Sequence, residues 1–238
     1  MSLSLKAQKV LITGSTDGLG KKLAASLLEA GAEVIIHGRS QAKVDATLAE
    51  LHKLGQVTGI VCDLNQPEAL AASFSQINEL DILINNAGVW LEGSTVDANP
   101  AKIHELVHVG LLTPLVLTRL LLPVLQKSKF AQIINVSSVA GVEIPHGYSH
   151  TFYSAVKYGL QGFSEALAKE FDGKQLRVMG YYPGGMETKF FAKAGNSYKA
   201  HEPWMFDPQE SAEALIFMLT RNPKVSAKRV DLVNQLWD

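Results

Sequence analysis

The chain has 238 residues, of which 47% are hydrophobic and 19% charged, and its 22 basic and 23 acidic side chains give a net charge of −1. This balance argues against a basic surface for nucleic acid or an anionic membrane, so a small molecule is the expected partner. The length and the lack of repeats or a linker predict one domain over residues 1–238. The single cysteine, Cys62, cannot form an internal disulfide, and no charged-then-apolar signal segment precedes Lys6, so we expect a cytoplasmic protein.

The first predicted element is a strand over residues 9–13, followed by a glycine-rich turn and a helix over residues 19–28. Glycine lets the backbone approach a ligand closely, and the helix N-terminus offers free N–H groups to a diphosphate. Such a turn can also serve only to pack a strand against a helix, but its place at the first strand-to-helix turn favours a dinucleotide site. The candidate cofactor contacts in this turn are Gly14, Ser15, Thr16, Asp17, Gly18, Leu19 and Gly20.

Arg39 follows the second predicted strand, over residues 33–37, where the adenosine ribose lies in a fold of this kind. Its guanidinium could pair with the 2′-phosphate of NADP(H), whereas an acidic residue there would bind the 2′-hydroxyl of NAD(H). Asp17 argues for NAD(H), because it adds negative charge nearby, and Arg39 could also be only a solvated residue. We expect NADP(H) to be the preferred cofactor, with NAD(H) possible.

Asp63 and Leu64 follow the third predicted strand, over residues 57–62, which a helix over residues 41–54 precedes. Asp63 could accept a hydrogen bond from the adenine amino group, or it could only begin the turn into the helix after Pro67. Both residues are candidate cofactor contacts.

The fourth predicted strand, over residues 81–84, is continuously apolar, as buried parallel strands are, and it runs into Asn85-Asn86-Ala87-Gly88. Amides at a buried strand end can satisfy neighbouring backbone groups. We expect that structural role alongside cofactor contacts from Asn85, Ala87 and Gly88.

A long helix over residues 100–126 contains the most apolar stretch of the chain, at 109–125. This stretch is too interrupted to be expected to cross a bilayer, and it predicts a buried or interface helix. The interrupting residues are Thr113, Pro114, Thr118, Arg119 and Pro123.

Three more strands are predicted, over residues 132–138, 177–182 and 229–233, with a helix that runs to about residue 171 and another over 208–220. The alternation of strands and helices predicts an α/β fold with right-handed crossovers. We expect a single Rossmann-type, doubly wound parallel sheet of about seven strands flanked by helices, with ligands at the carboxyl ends of the strands.

Tyr153 and Lys157 lie four residues apart on a predicted helix and therefore share one face. A cation about 4 Å from a phenol is worth roughly 4 kcal/mol at an effective dielectric near 20, or about 3 pKa units toward neutrality. A nearby Ser138 hydroxyl could hold a carbonyl oxygen against that phenol. Alone this pattern is weak, since Tyr and Lys at this spacing occur by chance on many solvated helices.

With these motifs, the chain resembles the short-chain dehydrogenase/reductase family over nearly its whole length. The matching motifs, in family order, are the turn from Thr13 to Gly20, Asp63, Asn85 to Gly88, Ser138, Tyr153 with Lys157, and Pro183-Gly184 with Thr188. The resemblance implies an NAD(P)-dependent oxidoreductase that interconverts a carbonyl and an alcohol by hydride transfer.

The resemblance also assigns roles to individual residues. Tyr153 would donate the proton in reduction, Lys157 would lower the pKa of Tyr153 and hold the nicotinamide ribose, and Ser138 would orient the substrate carbonyl. The segment that holds the carboxamide side of the nicotinamide would include Pro183, Gly184, Met186 and Thr188.

Gly110 is a departure from the family, which usually carries an Asn there to support a water relay to the lysine. The glycine could leave room for water instead. Its presence keeps open an NADP-binding sensor or scaffold with little turnover, and a third possibility is different chemistry, such as double-bond reduction or dehydration.

The segment over residues 187–207 occupies the position of the family's substrate lid and is rich in aromatic residues. It predicts either an apolar pocket wall or a small separate core, and an apolar or aromatic substrate. No histidine spacing suggests a metal. The resemblance implies a homodimer or homotetramer through the apolar helix and the Tyr153 helix. The candidate pocket residues are Trp90, His146, Tyr148, Phe190, Phe191 and Trp204.

Overall fold

Seven parallel strands form one sheet in the order β3-β2-β1-β4-β5-β6-β7. The computed structural model describes residues 2–144, 147–172, 174–198 and 201–236. The chain starts at β1, moves outward to β3, then crosses to β4 and moves outward to β7, so the predicted doubly wound fold is confirmed. The strands are β1 (Lys9–Ile12), β2 (Glu33–Gly38), β3 (Val57–Val61), β4 (Ile82–Asn85), β5 (Ala131–Val136), β6 (Leu176–Pro183) and β7 (Arg229–Leu232).

Helices cover both faces of this sheet. Residues of α1, α2 and α8 join the core on one face, and residues of α3, α5 and α6 join the core on the other. All residues of β4 and β5 are buried between these layers, which explains the apolar run at residues 82–84 of β4. The helices are α1 (Gly18–Glu29), α2 (Gln41–Leu51), α3 (Pro67–Phe74), α4 (Pro100–Val107), α5 (Thr113–Leu125), α6 (Thr151–Glu170), α7 (Phe190–Lys193) and α8 (Pro208–Leu219).

The long helix predicted over residues 100–126 is interrupted. A π-helical segment, His108–Leu112, separates α4 from α5, and Gly110 lies at its centre. A π segment widens the helix locally and often marks a functional site. By length and composition alone Pro100–Leu125 could cross a membrane, contrary to our expectation, but core helices of soluble proteins meet the same criterion. Its inner face packs on the sheet through Leu117 and Leu121, which are buried.

His37 joins the carboxyl ends of three strands beneath the glycine turn. Its Nδ1 accepts from the Gly14 N–H at 3.0 Å, so the neutral ring donates its Nε2–H to the Cys62 carbonyl oxygen, also at 3.0 Å. Burial lowers the pKa of His37 to about 4, against the raising effects of the Cys62 carbonyl and Asp63. The folded protein therefore requires a neutral imidazole here.

This requirement predicts an acid-sensitive fold. Because the unfolded chain binds the proton more tightly, the stability contributed by neutral His37 is complete above pH 6.5 and is lost as the pH falls toward 4. The loss should reach about 3 kcal/mol. Denaturant unfolding from pH 7 to pH 4 should show a shallower decline for His37→Gln, which cannot titrate, than for wild type. The control is His52→Gln, at an exposed position, and an identical decline in wild type and His37→Gln would contradict the prediction.

Candidate active site

One cavity of about 1090 Å³ runs along the carboxyl ends of the strands and collects most of the predicted site residues. Its volume exceeds that of a typical site for one small ligand, so a dinucleotide and a substrate could share it. The predicted residues that line it are Gly14, Thr16, Asp17, Gly18, Leu19, Gly20, Arg39, Asp63, Leu64, Ala87, Gly88, Trp90, Ser138, Tyr148, Tyr153, Lys157, Pro183, Gly184, Met186, Thr188, Phe190, Phe191 and Trp204.

Three predicted residues are not among the lining residues. Ser15 is buried, donating to the Ile12 carbonyl oxygen and accepting from the His37 N–H, both at 2.8 Å. The amide of Asn85 points into the sheet and donates to Asn135 Oδ1 at 2.8 Å. Both side chains therefore stabilise the protein interior and do not reach a cofactor. His146 lies outside the described residues.

The side chains of Thr13 and Asn86, which were not predicted to contact the cofactor, fasten the glycine turn to the end of β4. Thr13 Oγ1 accepts from the N–H groups of Asn86 and Ala87, each at 3.0 Å. The Asn86 amide donates back to the carbonyl oxygens of Thr13 and Gly14, at 2.9 and 3.1 Å. The structural role expected for the amides at this strand end is thus filled by Asn86.

The turn fits a dinucleotide diphosphate. Gly14 has φ +64°, and a Cβ there would lie 2.9 Å from the Cα of Ala87, while a Cβ on Gly20 would lie 2.6 Å from the Gly14 carbonyl oxygen. Only glycine permits this close packing at the N-terminus of α1, whose first N–H groups border the cavity.

Asp17 occupies the helix cap and is held by the lid. Its carboxylate accepts from the Gly18 N–H at 2.9 Å and pairs with Lys193 Nζ at 3.0 Å. Burial raises the pKa of Asp17, whereas the ion pair with Lys193 and the hydrogen bond from the Gly18 N–H lower it. The net effect is a lowered pKa. Its negative charge is therefore partly neutralised by Lys193, which weakens the argument for NAD(H) drawn from Asp17.

Arg39 has two basic neighbours at the adenosine end of the cavity, Lys43 and Lys102, that the sequence did not reveal. The Arg39 side chain is 72% exposed and lies 3.7 Å from Glu105, which also pairs with Lys102 at 3.0 Å. Asp63 lines the same end, and its Oδ1 accepts from the Asn65 N–H at 3.0 Å, as expected for a turn residue. The closeness of Lys102 to Arg39 could not be predicted from the sequence, because helix α4, which carries Lys102, begins about sixty residues after Arg39.

The proposed catalytic residues come together on β5 and α6. Tyr153 and Lys157 are buried on one face of α6, and Ser138, just after β5, lies near the Tyr153 phenol. The Ser138 hydroxyl donates to the Pro183 carbonyl oxygen at 3.4 Å. Lys157 Nζ donates to the Val136 carbonyl oxygen at 3.1 Å and lies 5.5 Å from the centre of the Tyr153 ring.

Burial has the largest effect on the pKa values of Tyr153 and Lys157. It raises the pKa of Tyr153 well above its usual value, and the Ser138 hydroxyl lowers it only in part. Burial also lowers the pKa of Lys157 to about 8, so the ammonium form still predominates at neutral pH. The predicted net lowering of the Tyr153 pKa is therefore wrong for this geometry, since burial raises the pKa and is the largest effect on this group. The phenol keeps its proton and can serve as a donor.

Aromatic rings form the wall opposite the glycine turn. The Trp90 ring centre lies 4.5 Å from that of Tyr153 and 4.9 Å from that of Phe191. Phe191 in turn lies 5.5 Å from Trp204. The aromatic residues predicted in the lid, Phe190, Phe191 and Trp204, therefore line the cavity. His150 closes this wall, 5.3 Å from Trp90.

The lid is closed at its base. Met186 pairs with Phe206 in a short bridge, the Glu187 N–H donates to the Phe206 carbonyl oxygen at 3.0 Å, and the Phe206 N–H donates to that of Gly185 at 3.1 Å. The indole of Trp204 lies over Gly185, where a Cβ would be 2.0 Å from the ring. The two ends of the lid are therefore held together at Gly185 to Glu187 and Phe206.

The space at Gly110 is not open to water in the way the sequence suggested. A Cβ on Gly110 would lie 2.7 Å from Cγ1 of Val156, the residue before Lys157. The valine side chain thus fills the volume that a family Asn would need.

Within the described ranges, no three His, Cys, Asp or Glu side chains are grouped as a metal site would require.

Comparisons with known proteins agree with this geometry. A model of the short chain dehydrogenases matches residues 8–199. An NADP-dependent 3-hydroxy acid dehydrogenase of Schizosaccharomyces pombe is 31% identical over 237 residues, 93% of this chain and 90% of that protein. A 3-oxoacyl-[acyl-carrier-protein] reductase of Aquifex aeolicus is 31% identical over 230 residues, 92% of each. The structure of a metagenomic short-chain oxidoreductase in complex with NADP matches with a TM-score of 0.80 at 29% identity, covering 96% of this chain and 97% of that one.

Proposed function

Because this chain belongs to the short-chain dehydrogenase/reductase family, we propose that it is an NADPH-dependent enzyme that interconverts a carbonyl and an alcohol on a small apolar or aromatic substrate. One observation carries the proposal. The buried, protonated phenol of Tyr153 shares one cavity with Ser138 and the glycine turn and packs against Trp90 of the aromatic wall.

In the proposed reduction, bound NADPH would supply a hydride to the carbonyl carbon. Tyr153 donates its phenolic proton to the carbonyl oxygen, and Ser138 orients that oxygen by a hydrogen bond. Lys157 holds its ammonium beside the phenol and stabilises the negative charge that develops there. The rings of Trp90 and Phe191 position an apolar substrate and exclude water from the reacting groups.

Several charges support NADP(H) as the cofactor. Arg39, Lys43 and Lys102 offer three cations at the adenosine end, and a 2′-phosphate could replace Glu105 as the partner of Arg39 and Lys102. Two of the similar proteins carry NADP in their names. NAD(H) remains an alternative because Arg39 is largely exposed.

A second candidate, an NADP-binding sensor or scaffold with little turnover, is favoured by the packing of Val156 against Gly110. With that space filled, the side chain that supports a water relay to the lysine in much of the family has no counterpart at this position. The experiment is NADPH consumption with a panel of aldehydes, ketones and enones. Alcohol products support carbonyl reduction, saturated ketones indicate double-bond reduction, and tight NADPH binding without consumption favours the sensor.

We also propose a cytoplasmic homodimer or homotetramer. The outer face of α5 leaves Leu115, Leu120 and Leu122 only partly buried, and Tyr158 on α6 is exposed. A second copy could cover these side chains. Sedimentation equilibrium tests the assembly, and a monomer at micromolar concentration would contradict it.

A further inference from the structure

Glu92 lies in the loop after β4 and lines the cavity beside the aromatic wall. Its carboxylate accepts hydrogen bonds from both sides of the substrate site. On the wall, Trp90 Nε1 donates at 3.1 Å and Ser149 Oγ at 3.5 Å. From the lid, Asn196 Nδ2 donates at 2.8 Å and the Tyr198 hydroxyl contacts both carboxylate oxygens at 2.8 and 2.9 Å.

These contacts make Glu92 the junction between the fixed wall and the lid. The Trp90 indole that it fixes is the ring packed against Tyr153. The Tyr198 ring that it holds packs 5.4 Å from Phe191 and 5.5 Å from Trp204. Loss of the carboxylate would therefore release the lid from the wall and loosen the ring beside the proton donor.

All the donors to Glu92 are neutral groups, and in the part of the chain that the structure describes no lysine or arginine pairs with it. Of the other cations near this part of the cavity, Lys193 pairs with Asp17, on whose charge Lys189 also acts, and Arg229 pairs with Asp231. Lys157 donates to the Val136 carbonyl oxygen. Burial lowers the pKa of His150, so the nearby imidazole is uncharged at neutral pH. Glu92 thus places a negative charge beside the substrate site with no lysine or arginine of the described residues in contact with it.

We propose that Glu92 is a positioning and specificity-determining residue: it fastens the lid to Trp90, and its uncompensated charge restricts the site to uncharged carbonyl compounds. A substrate that carried a carboxylate would have to enter a partly buried site already occupied by a like charge. An uncharged aromatic aldehyde or ketone meets no such repulsion. The inference rests on the proposed carbonyl reduction.

The test compares two aldehydes of nearly equal shape, 4-formylbenzoate and its methyl ester, by initial rates of NADPH consumption. In wild type, kcat/KM for the ester should exceed that for the carboxylate by about tenfold or more. Glu92→Gln removes the charge but keeps an acceptor, and should bring the ratio close to one by lowering KM for the carboxylate. Glu143→Gln, which removes an exposed carboxylate at the same cavity, is the matched control and should keep the wild-type ratio. Equal kcat/KM values in wild type, or an unchanged ratio in Glu92→Gln, would overturn the role in specificity.

A second measurement tests the fastening of the lid without using activity. Trypsin should cut after Lys189 or Lys193 about tenfold faster in Glu92→Ala and in Tyr198→Phe than in wild type or Glu143→Ala, because the lid opens more often. Equal cleavage rates would overturn the fastening role. If wild type consumes NADPH with neither aldehyde, the proposed function fails, and the cleavage rates alone then support or overturn the role of Glu92.

Discussion

Replacing Tyr153 by Phe should lower kcat for carbonyl reduction about 10³-fold, while the Kd for NADPH changes little. The substitution removes one hydroxyl and keeps the ring that packs against Trp90. Because burial keeps the phenol protonated, the hydroxyl is the proton source that the substrate oxygen would meet. The measurement is steady-state kinetics with a neutral aromatic aldehyde, together with a fluorescence titration of NADPH.

The matched control is Tyr158→Phe on the same helix. The Tyr158 hydroxyl donates to the Val142 carbonyl oxygen at 2.6 Å on the outer surface, so its loss should leave kcat nearly unchanged. Turnover that survives in Tyr153→Phe would mean that the proton comes from another group, and His150, 6.2 Å from the Tyr153 ring, would become the first candidate.

Replacing Arg39 by Ala should weaken NADPH binding by at least about tenfold, or about 1.4 kcal/mol, and leave NADH binding unchanged. The guanidinium can form a bidentate pair with the 2′-phosphate, and NADH lacks that phosphate. In wild type, NADPH should bind at least about tenfold more tightly than NADH. Fluorescence titration of both nucleotides with wild type and variant provides the measurement.

Replacing Glu105 by Gln should have the opposite effect on NADPH binding in the same titration. Glu105 lies 3.7 Å from Arg39 and 3.0 Å from Lys102, so its charge competes with a 2′-phosphate for both cations. Its removal should tighten NADPH binding and not NADH binding. If NADH binds wild type as well as NADPH does, Arg39 is only a solvated residue and alcohols should be screened with NAD⁺.

The parts of the fold that could be predicted are those determined by short stretches of sequence. The apolar runs of β1, β4 and β5 and the glycines between β1 and α1 specify buried parallel strands and a tight turn wherever the rest of the chain lies. Because the strands are parallel, their carboxyl ends meet at one edge of the sheet, so the motifs that follow them were expected to share a cavity.

What could not be predicted depends on contacts between distant segments. The π segment at Gly110 lies where Val156 of α6 packs against it. The pattern of apolar residues within the long helix does not indicate this contact, because Val156 lies on another helix. The protonation of Tyr153 follows from burial, which spacing along a helix does not reveal. Glu92 and Tyr198 lie more than a hundred residues apart in sequence, and only the closed lid brings them together.

The central claim is that hydride and proton meet on a carbonyl in this one cavity. Its most direct test uses NADPH deuterated at C4 of the nicotinamide, with each C4 position labelled in turn, and a neutral aromatic aldehyde, and follows the label by mass spectrometry. We expect one of the two labelled cofactors to yield an alcohol with one deuterium on the carbinol carbon, and Tyr153→Phe to form this product far more slowly. Tight NADPH binding without labelled alcohol across the carbonyl panel would contradict the account and favour a sensor or scaffold.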